Sequence, residues 1–172
     1  QHLIKDHPEV LKTTSIARQT FRKGTDDAIN MENWDWMLKG LVSYDKNLPV
    51  DGLKTGTSDA AGDCFTGTVE KNGMRIITVV LHANGDAKTR RFDETKKLMT
   101  HVLENWKTIT LANAGQSIKG YSKVNVNRGA SRTTPIAPSA KAVAVVPTDA
   151  SKKTLKYTYT PAKGVKKNTI EA

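Results

Sequence analysis

The chain has 172 residues, 37% of them hydrophobic and 26% charged, with a net charge of +10. This is the composition of a moderately polar globular protein with one ordinary domain or two small ones. No run of eighteen apolar residues is present, so no helix is expected to span a bilayer, and the single cysteine, Cys64, excludes an internal disulfide framework and any multi-cysteine metal site.

Residues His2 to Thr14 read as helical, with Pro8 opening a second helical stretch where a proline is tolerated. Neither a starting Met nor a charged-then-apolar leader precedes them, so any signal peptide is expected to have been removed. Ser15 to Lys23 suggests a strand, and Gly24 to Glu32 is polar and turn-like. Asn33 to Leu41 carries Trp34, Trp36, Met37, Leu38 and Leu41, an apolar cluster expected in a core. Ser43 to Leu48 is a polar loop ending at Pro49. Val50 to Thr57 reads as a strand, followed by strands at Asp63–Lys71 and Met74–His82. Asn72-Gly73 joins the last two, and a two-residue hairpin turn of this kind needs positive φ at both positions. The run Ile76, Ile77, Val79, Val80, Leu81 predicts a strand covered on both faces. After a loop at Asn84–Lys88, apolar residues from Phe92 to Trp106 recur at helical spacing, which predicts an amphipathic helix over Arg91–Trp106 packed across the sheet. Strands followed by one long helix give an α+β layer.

Composition changes after Thr110. Residues 1–111 carry 16 Lys and Arg against 15 Asp and Glu, whereas residues 112–172 carry 11 against only Asp149 and Glu171, and contain neither Trp nor Phe. Val124–Val126, Ala142–Val146 and Leu155–Thr160 read as short strands punctuated by prolines. Two units are therefore expected: residues 1–111, and a small basic β domain over residues 112–172 that the chain either completes or ends within. The basic part is expected either to attract a polyanion, such as an anionic membrane surface or wall polymer, or to be a solvated surface without a specific partner. Nucleic acid is disfavoured, because the lysines are not interleaved with base-stacking aromatics beyond Tyr157 and Tyr159 and no nucleic-acid motif appears.

The chemistry lies in Val50-Asp51-Gly52-Leu53-Lys54-Thr55-Gly56-Thr57. A Lys-Thr-Gly triplet on such a strand is a signature of penicillin-binding proteins and class A β-lactamases. Lys54 supplies a positive charge for a substrate carboxylate, and Thr55 a hydroxyl that can donate to it. Gly56 lets a ligand backbone approach the strand, and the strand edge can pair with an extended peptide. With Ala61-Gly62, Met74–Leu81 and the run Arg91-Phe92-Asp93-Glu94-Thr95-Lys96-Lys97-Leu98, the first 111 residues resemble serine D-alanyl-D-alanine carboxypeptidases. These are the low-molecular-mass penicillin-binding proteins of peptidase family S11. The basic part is similar to that family's C-terminal domain in position and type.

The resemblance implies the C-terminal part of a transpeptidase-like domain, an antiparallel sheet with packed helices, followed by a small all-β domain. It implies that Lys54, Thr55 and Gly56 are the family's triad, that the Thr57 N–H contributes to the oxyanion hole, and that Arg91 helps bind the terminal carboxylate of the peptide. Arg90 is the neighbour with which Arg91 could be confused; spacing to Lys96-Lys97-Leu98 favours Arg91. Implied partners are peptidoglycan stem peptides ending in D-Ala-D-Ala, and β-lactams; no cofactor is implied. The implied location is the extracytoplasmic face of the cell membrane or wall, with an anchor outside this chain.

The family also needs Ser-x-x-Lys and Ser-x-Asn motifs. No Ser-x-Asn occurs, and the one literal Ser-x-x-Lys is Ser43-Tyr44-Asp45-Lys46. Its loop setting and the solvated Lys46 argue against it, because a basic lysine must be desolvated to lower its pKa. The nucleophile and its base are therefore expected upstream of this chain, which would be a C-terminal fragment without catalytic residues of its own. A non-catalytic wall-binding module of the same fold is the alternative. Cys64 reads as an inert strand thiol rather than a nucleophile paired with His82, and Asp59 and Asp63 either tune the field of the triad or lie in a solvated loop. The histidines show no metal spacing, and Trp34, Trp36 and Trp106 read as core anchors.

Overall fold

The structure, a computed structural model, describes residues 1–85, 87–151 and 169–171. Two compact units divide the chain, Gln1–Trp106 and Lys107–Ala172.

The first unit opens with two five-residue helices, α1 (His2–Asp6) and α2 (Val10–Thr14), with Pro8 in the turn between them. β1 (Arg18–Phe21) and β2 (Ile29–Glu32) then form an antiparallel hairpin, with Arg18 opposite Glu32 and Phe21 opposite Ile29. β2 corrects the expectation of a turn-like segment through Glu32. Its pattern of apolar residues is weak because every β2 residue is exposed; pairing with β1 and the Arg18–Glu32 ion pair at 2.8 Å hold it instead.

β3 (Val50–Ser58), β4 (Gly62–Lys71) and β5 (Met74–Ala83) form an antiparallel sheet in that order. Asn72 and Gly73 have φ of 53° and 72°, as the hairpin turn demands. α3 (Arg90–Asn105) crosses one face. Strand alternation sends Phe65, Val69, Ile76 and Val80 to that face, where the first three join Phe92 and Met99 of the helix in one core cluster. Phe65 and Phe92 pack edge to face with centroids 5.1 Å apart. Gly67 allows this closeness: a Cβ there would lie 2.7 Å from the Phe65 ring and 3.1 Å from the Thr95 methyl.

The opposite face differs from expectation. Val79 and Leu81 are 57% and 72% exposed, so among the described residues the second face of the β5 apolar run is covered only at Ile77, which is half-buried. The tryptophans differ too. Met37, Leu38 and Leu41 are buried, but Trp34 is 68% exposed and Trp106 40%, and Trp36 only packs against the edge of the core.

The helix ends at Asn105, and Trp106, which the apolar periodicity assigns to the helix, instead begins a strand, β6 (Trp106–Ala112). β6 pairs with β9 (Ala142–Pro147), while β7 (Lys123–Asn127) lies between β8 (Thr133–Pro135) and β10 (Thr169–Glu171). β7 and β9 cover the expected strands at 124–126 and 142–146. The one expected at 155–160 lies outside the described residues.

Candidate active site

β3 is an edge strand: it pairs with β4 and, among the described residues, with no other strand. The register puts Thr55 opposite Phe65, Gly56 opposite Cys64 and Thr57 opposite Asp63. Because Phe65 is anchored in the core, its pairing with Thr55 ties the end of β3 to the core layer.

Arg91, in the first turn of α3, ties this end down. Its Nη1 donates to the carbonyl oxygens of Gly56 at 3.0 Å and Cys64 at 3.3 Å. Its Nη2 donates to Thr57 Oγ1 at 2.9 Å and pairs with Asp63. Thr57 Oγ1 also donates to Asp63 Oδ1 at 2.7 Å. The four Nη protons are thus directed at the protein, and Nε is buried with no partner among the described residues. The planar fork of a guanidinium suits this bridging of two strands, which an ammonium could not copy.

Beside this network opens a cleft of about 410 Å³. Thr55, Gly56, Thr57, Asp63 and Arg91 form one side, and Trp34, Trp36, Lys88 and Phe92 complete it. The structure therefore brings together four of the five sequence-predicted site residues. Lys54 is exposed, does not line the cleft, and donates its ammonium to the Thr55 carbonyl oxygen. Alternation along β3 assigns it to the sheet face that also carries Val79 and Leu81.

Asp63 is not in a solvated loop; it is a β4 residue locked to Arg91. Cys64 is half-buried, its thiol nearest the Ala61 carbonyl oxygen at 3.4 Å, and no hydrogen bond joins it to His82 among the described residues. Ser43 is buried in a turn, with its N–H on the Trp36 carbonyl oxygen at 2.9 Å. Lys46 is exposed, and neither residue is on a helix. What the sequence concealed is the aromatic side of the cleft. Trp34 and Trp36 stack with centroids 6.3 Å apart, and Trp36 leans on Phe92 at 6.0 Å. The Trp-x-Trp spacing was the available signal, but it did not distinguish a core anchor from a cleft wall.

Between these indoles Asp35 is 2% exposed. Burial, aided by the nearby Asp51 charge, pushes its carboxyl up to about 6, against the opposing hydrogen bond from the Met37 N–H. That N–H reaches Oδ1 at 3.1 Å, and Oδ2 has no partner among the described residues.

The family model for D-alanyl-D-alanine carboxypeptidase matches residues 1–85. The D-alanyl-D-alanine carboxypeptidase DacA of Haemophilus influenzae is 34% identical over 118 residues, covering 68% of this chain and 27% of that protein. The crystal structure of a peptidoglycan synthesis regulatory factor (PBP3) from Streptococcus pneumoniae superposes with a TM-score of 0.75 at 30% identity, covering 88% of this chain and 39% of that one. Penicillin binding protein 5 from Haemophilus influenzae gives a TM-score of 0.64 at 29% identity, over 86% of this chain and 39% of that one. The chain spans about a quarter of the length of the curated relative. The Lys-Thr-Gly edge strand, its hairpin and the loop beyond lie inside or against the matched residues, and through residues 1–85 the chain belongs to the D-alanyl-D-alanine carboxypeptidase family.

Proposed function

We propose that this chain forms one wall of the active site of a serine-type D-alanyl-D-alanine carboxypeptidase, and that the nucleophile is supplied by residues outside it. The stem peptide adds along the β3 edge. Thr55, which lines the cleft, donates to its terminal carboxylate with the charge of Arg91 behind it, while Lys54, on the other sheet face, meets the part of the enzyme that brings the nucleophile. The serine oxygen attacks the carbonyl of the penultimate D-Ala while its proton passes to a neighbouring lysine. The oxyanion is stabilised by backbone N–H groups, that of Thr57 among them. The C–N bond to the terminal D-Ala breaks, the amine takes a proton, and water then hydrolyses the acyl-enzyme. A β-lactam acylates the same serine and is released slowly.

The observation that carries this reading is the presentation of Lys54-Thr55-Gly56-Thr57 on an open edge strand fixed by Arg91. The bare apolar face formed by Val79 and Leu81, which Lys54 shares, is consistent with a further part of the enzyme packing there and bringing the nucleophile to Lys54. The site works at the extracytoplasmic face of the membrane or in the wall. Residues 112–172 form a separate basic domain that meets anionic membrane or wall polymer.

Intact mass after incubation with a labelled penicillin tests the assignment. This chain alone, folded by circular dichroism, gives no adduct. The same chain joined to the preceding residues of its parent gives a stoichiometric one. An adduct on Ser43 of the chain alone would overturn the assignment of the nucleophile, and the absence of an adduct on the joined protein would favour a non-catalytic wall-binding module.

A further inference from the structure

The Arg91–Asp63 pair leaves the cleft with an unexpected charge pattern. The guanidinium is matched by a carboxylate and its Nη protons are spent on the protein. Lys88, which also lines the cleft, enters no ion pair among the described residues. Among the described residues, the positive charge on this side of β3 that no carboxylate matches is that of Lys88.

The apolar side is just as specific. Trp34 is 68% exposed, and one face of its indole stacks on Trp36 at an interplanar angle of 19°, with Trp36 in turn packed on the fully buried Phe92. A large aromatic held this way presents a flat apolar surface at little entropic cost on binding. Its place at a concave site beside an open strand edge separates it from apolar residues scattered singly over a surface.

We propose that Trp34 and Lys88 form a subsite that takes the terminal residue of an extended peptide paired to β3, the indole covering its apolar side chain and the ammonium facing its carboxylate. This rests on the peptide-binding reading above and adds two specificity-determining residues to it. Charge selects the occupant: a neutral or cationic end would leave Lys88 unpaired at the cleft, whereas a carboxylate matches it.

The test is a titration of the ¹⁵N-labelled chain with diacetyl-L-Lys-D-Ala-D-Ala, following the Thr55, Gly56 and Thr57 amides and the Trp34 indole N–H, which Trp34→Phe identifies by its disappearance. Shifts at both places, with affinity about fivefold weaker or worse in Trp34→Ala, retained in Trp34→Phe and weakened in Lys88→Met, are expected. Trp34 is exposed, so unchanged melting temperatures are expected to accompany these losses. Shifts on β3 without any at Trp34 would overturn the subsite and leave the peptide-binding reading standing; Trp34 would then be a surface that another segment of polypeptide covers. No shift at either place would overturn both.

Discussion

Asp35 and Arg91 show how single buried charges govern this unit. Asp35 holds its proton to about pH 6 in the folded chain, whereas an aspartate in the unfolded chain titrates near 4. Between those values the native state binds more protons than the unfolded one. Its contribution to stability is therefore full below about pH 4, falls as pH rises through about 6, and is flat above. The gap between the folded and unfolded titrations corresponds to about 3 kcal/mol at most. Asp35→Asn keeps an oxygen for the Met37 N–H and cannot ionise. Urea melts should show the variant losing less stability than the parent between pH 4.5 and 7.5; an unchanged slope would mean that another group is responsible. For Arg91, 8% exposed, the risk runs the other way. Arg91→Ala strands the Asp63 carboxylate and removes three further bonds, so a cost of about 3 kcal/mol is expected. The double variant with Asp63→Ala should recover part of it, and additive losses in that cycle would show that the pair does not couple.

At the scale of elements, the sheet and α3 depend on Gly67. A methyl group there enters the contact between Phe65, Thr95 and Met99, all three of them fully buried, and its nearest neighbour is the rigid Phe65 ring. Gly67→Ala should cost about 1–3 kcal/mol through overpacking, read from the denaturant midpoint, and a neutral result would mean that the helix can back away from the sheet. The elements that dominate this layer were legible because local signals agreed. Asn72-Gly73 fixed the hairpin turn, and the 3.6-residue period of Phe92, Thr95 and Met99 fixed the helix and its buried face. Where one signal stands alone, the local pattern and the folded structure differ. β2 is wholly exposed and owes its form to β1, so its own residues give little pattern. β6 follows α3 without a glycine or proline to mark the join. The alternation of Thr108 and Thr110 with Ile109 and Leu111 was its available mark. The triad and Arg91 were legible as residue types at a spacing. The inward turn of the Arg91 fork and the placement of Lys54 outside the cleft depend on register and strand alternation, which a motif does not carry.

For the whole molecule the charge asymmetry is the strongest remaining signal. Residues 1–111 are nearly neutral, and almost all of the +10 belongs to residues 112–172. Among the described residues Lys119, Lys123, Arg128, Arg132 and Lys141 enter no ion pair, so the charge of this unit is not cancelled internally. A basic surface of this kind gains about 1 kcal/mol per lysine or arginine that reaches an anionic membrane surface, and the gain decays within a Debye length of about 8 Å at physiological salt. Binding should therefore be electrostatic and should not need the catalytic wall. Sedimentation with vesicles containing phosphatidylglycerol should pull the chain down at low salt, with affinity falling at least tenfold as salt rises from about 0.05 to about 0.5 M. Vesicles of phosphatidylcholine alone should leave it in the supernatant. A teichoic-type polymer should compete with the anionic vesicles, because the same charges serve both. Lys54→Ala, which alters only the wall of the peptide site, should leave this binding unchanged. Binding that ignored salt, or that failed on anionic vesicles and polymer alike, would mean that the basic unit is a solvated surface without a polyanion partner.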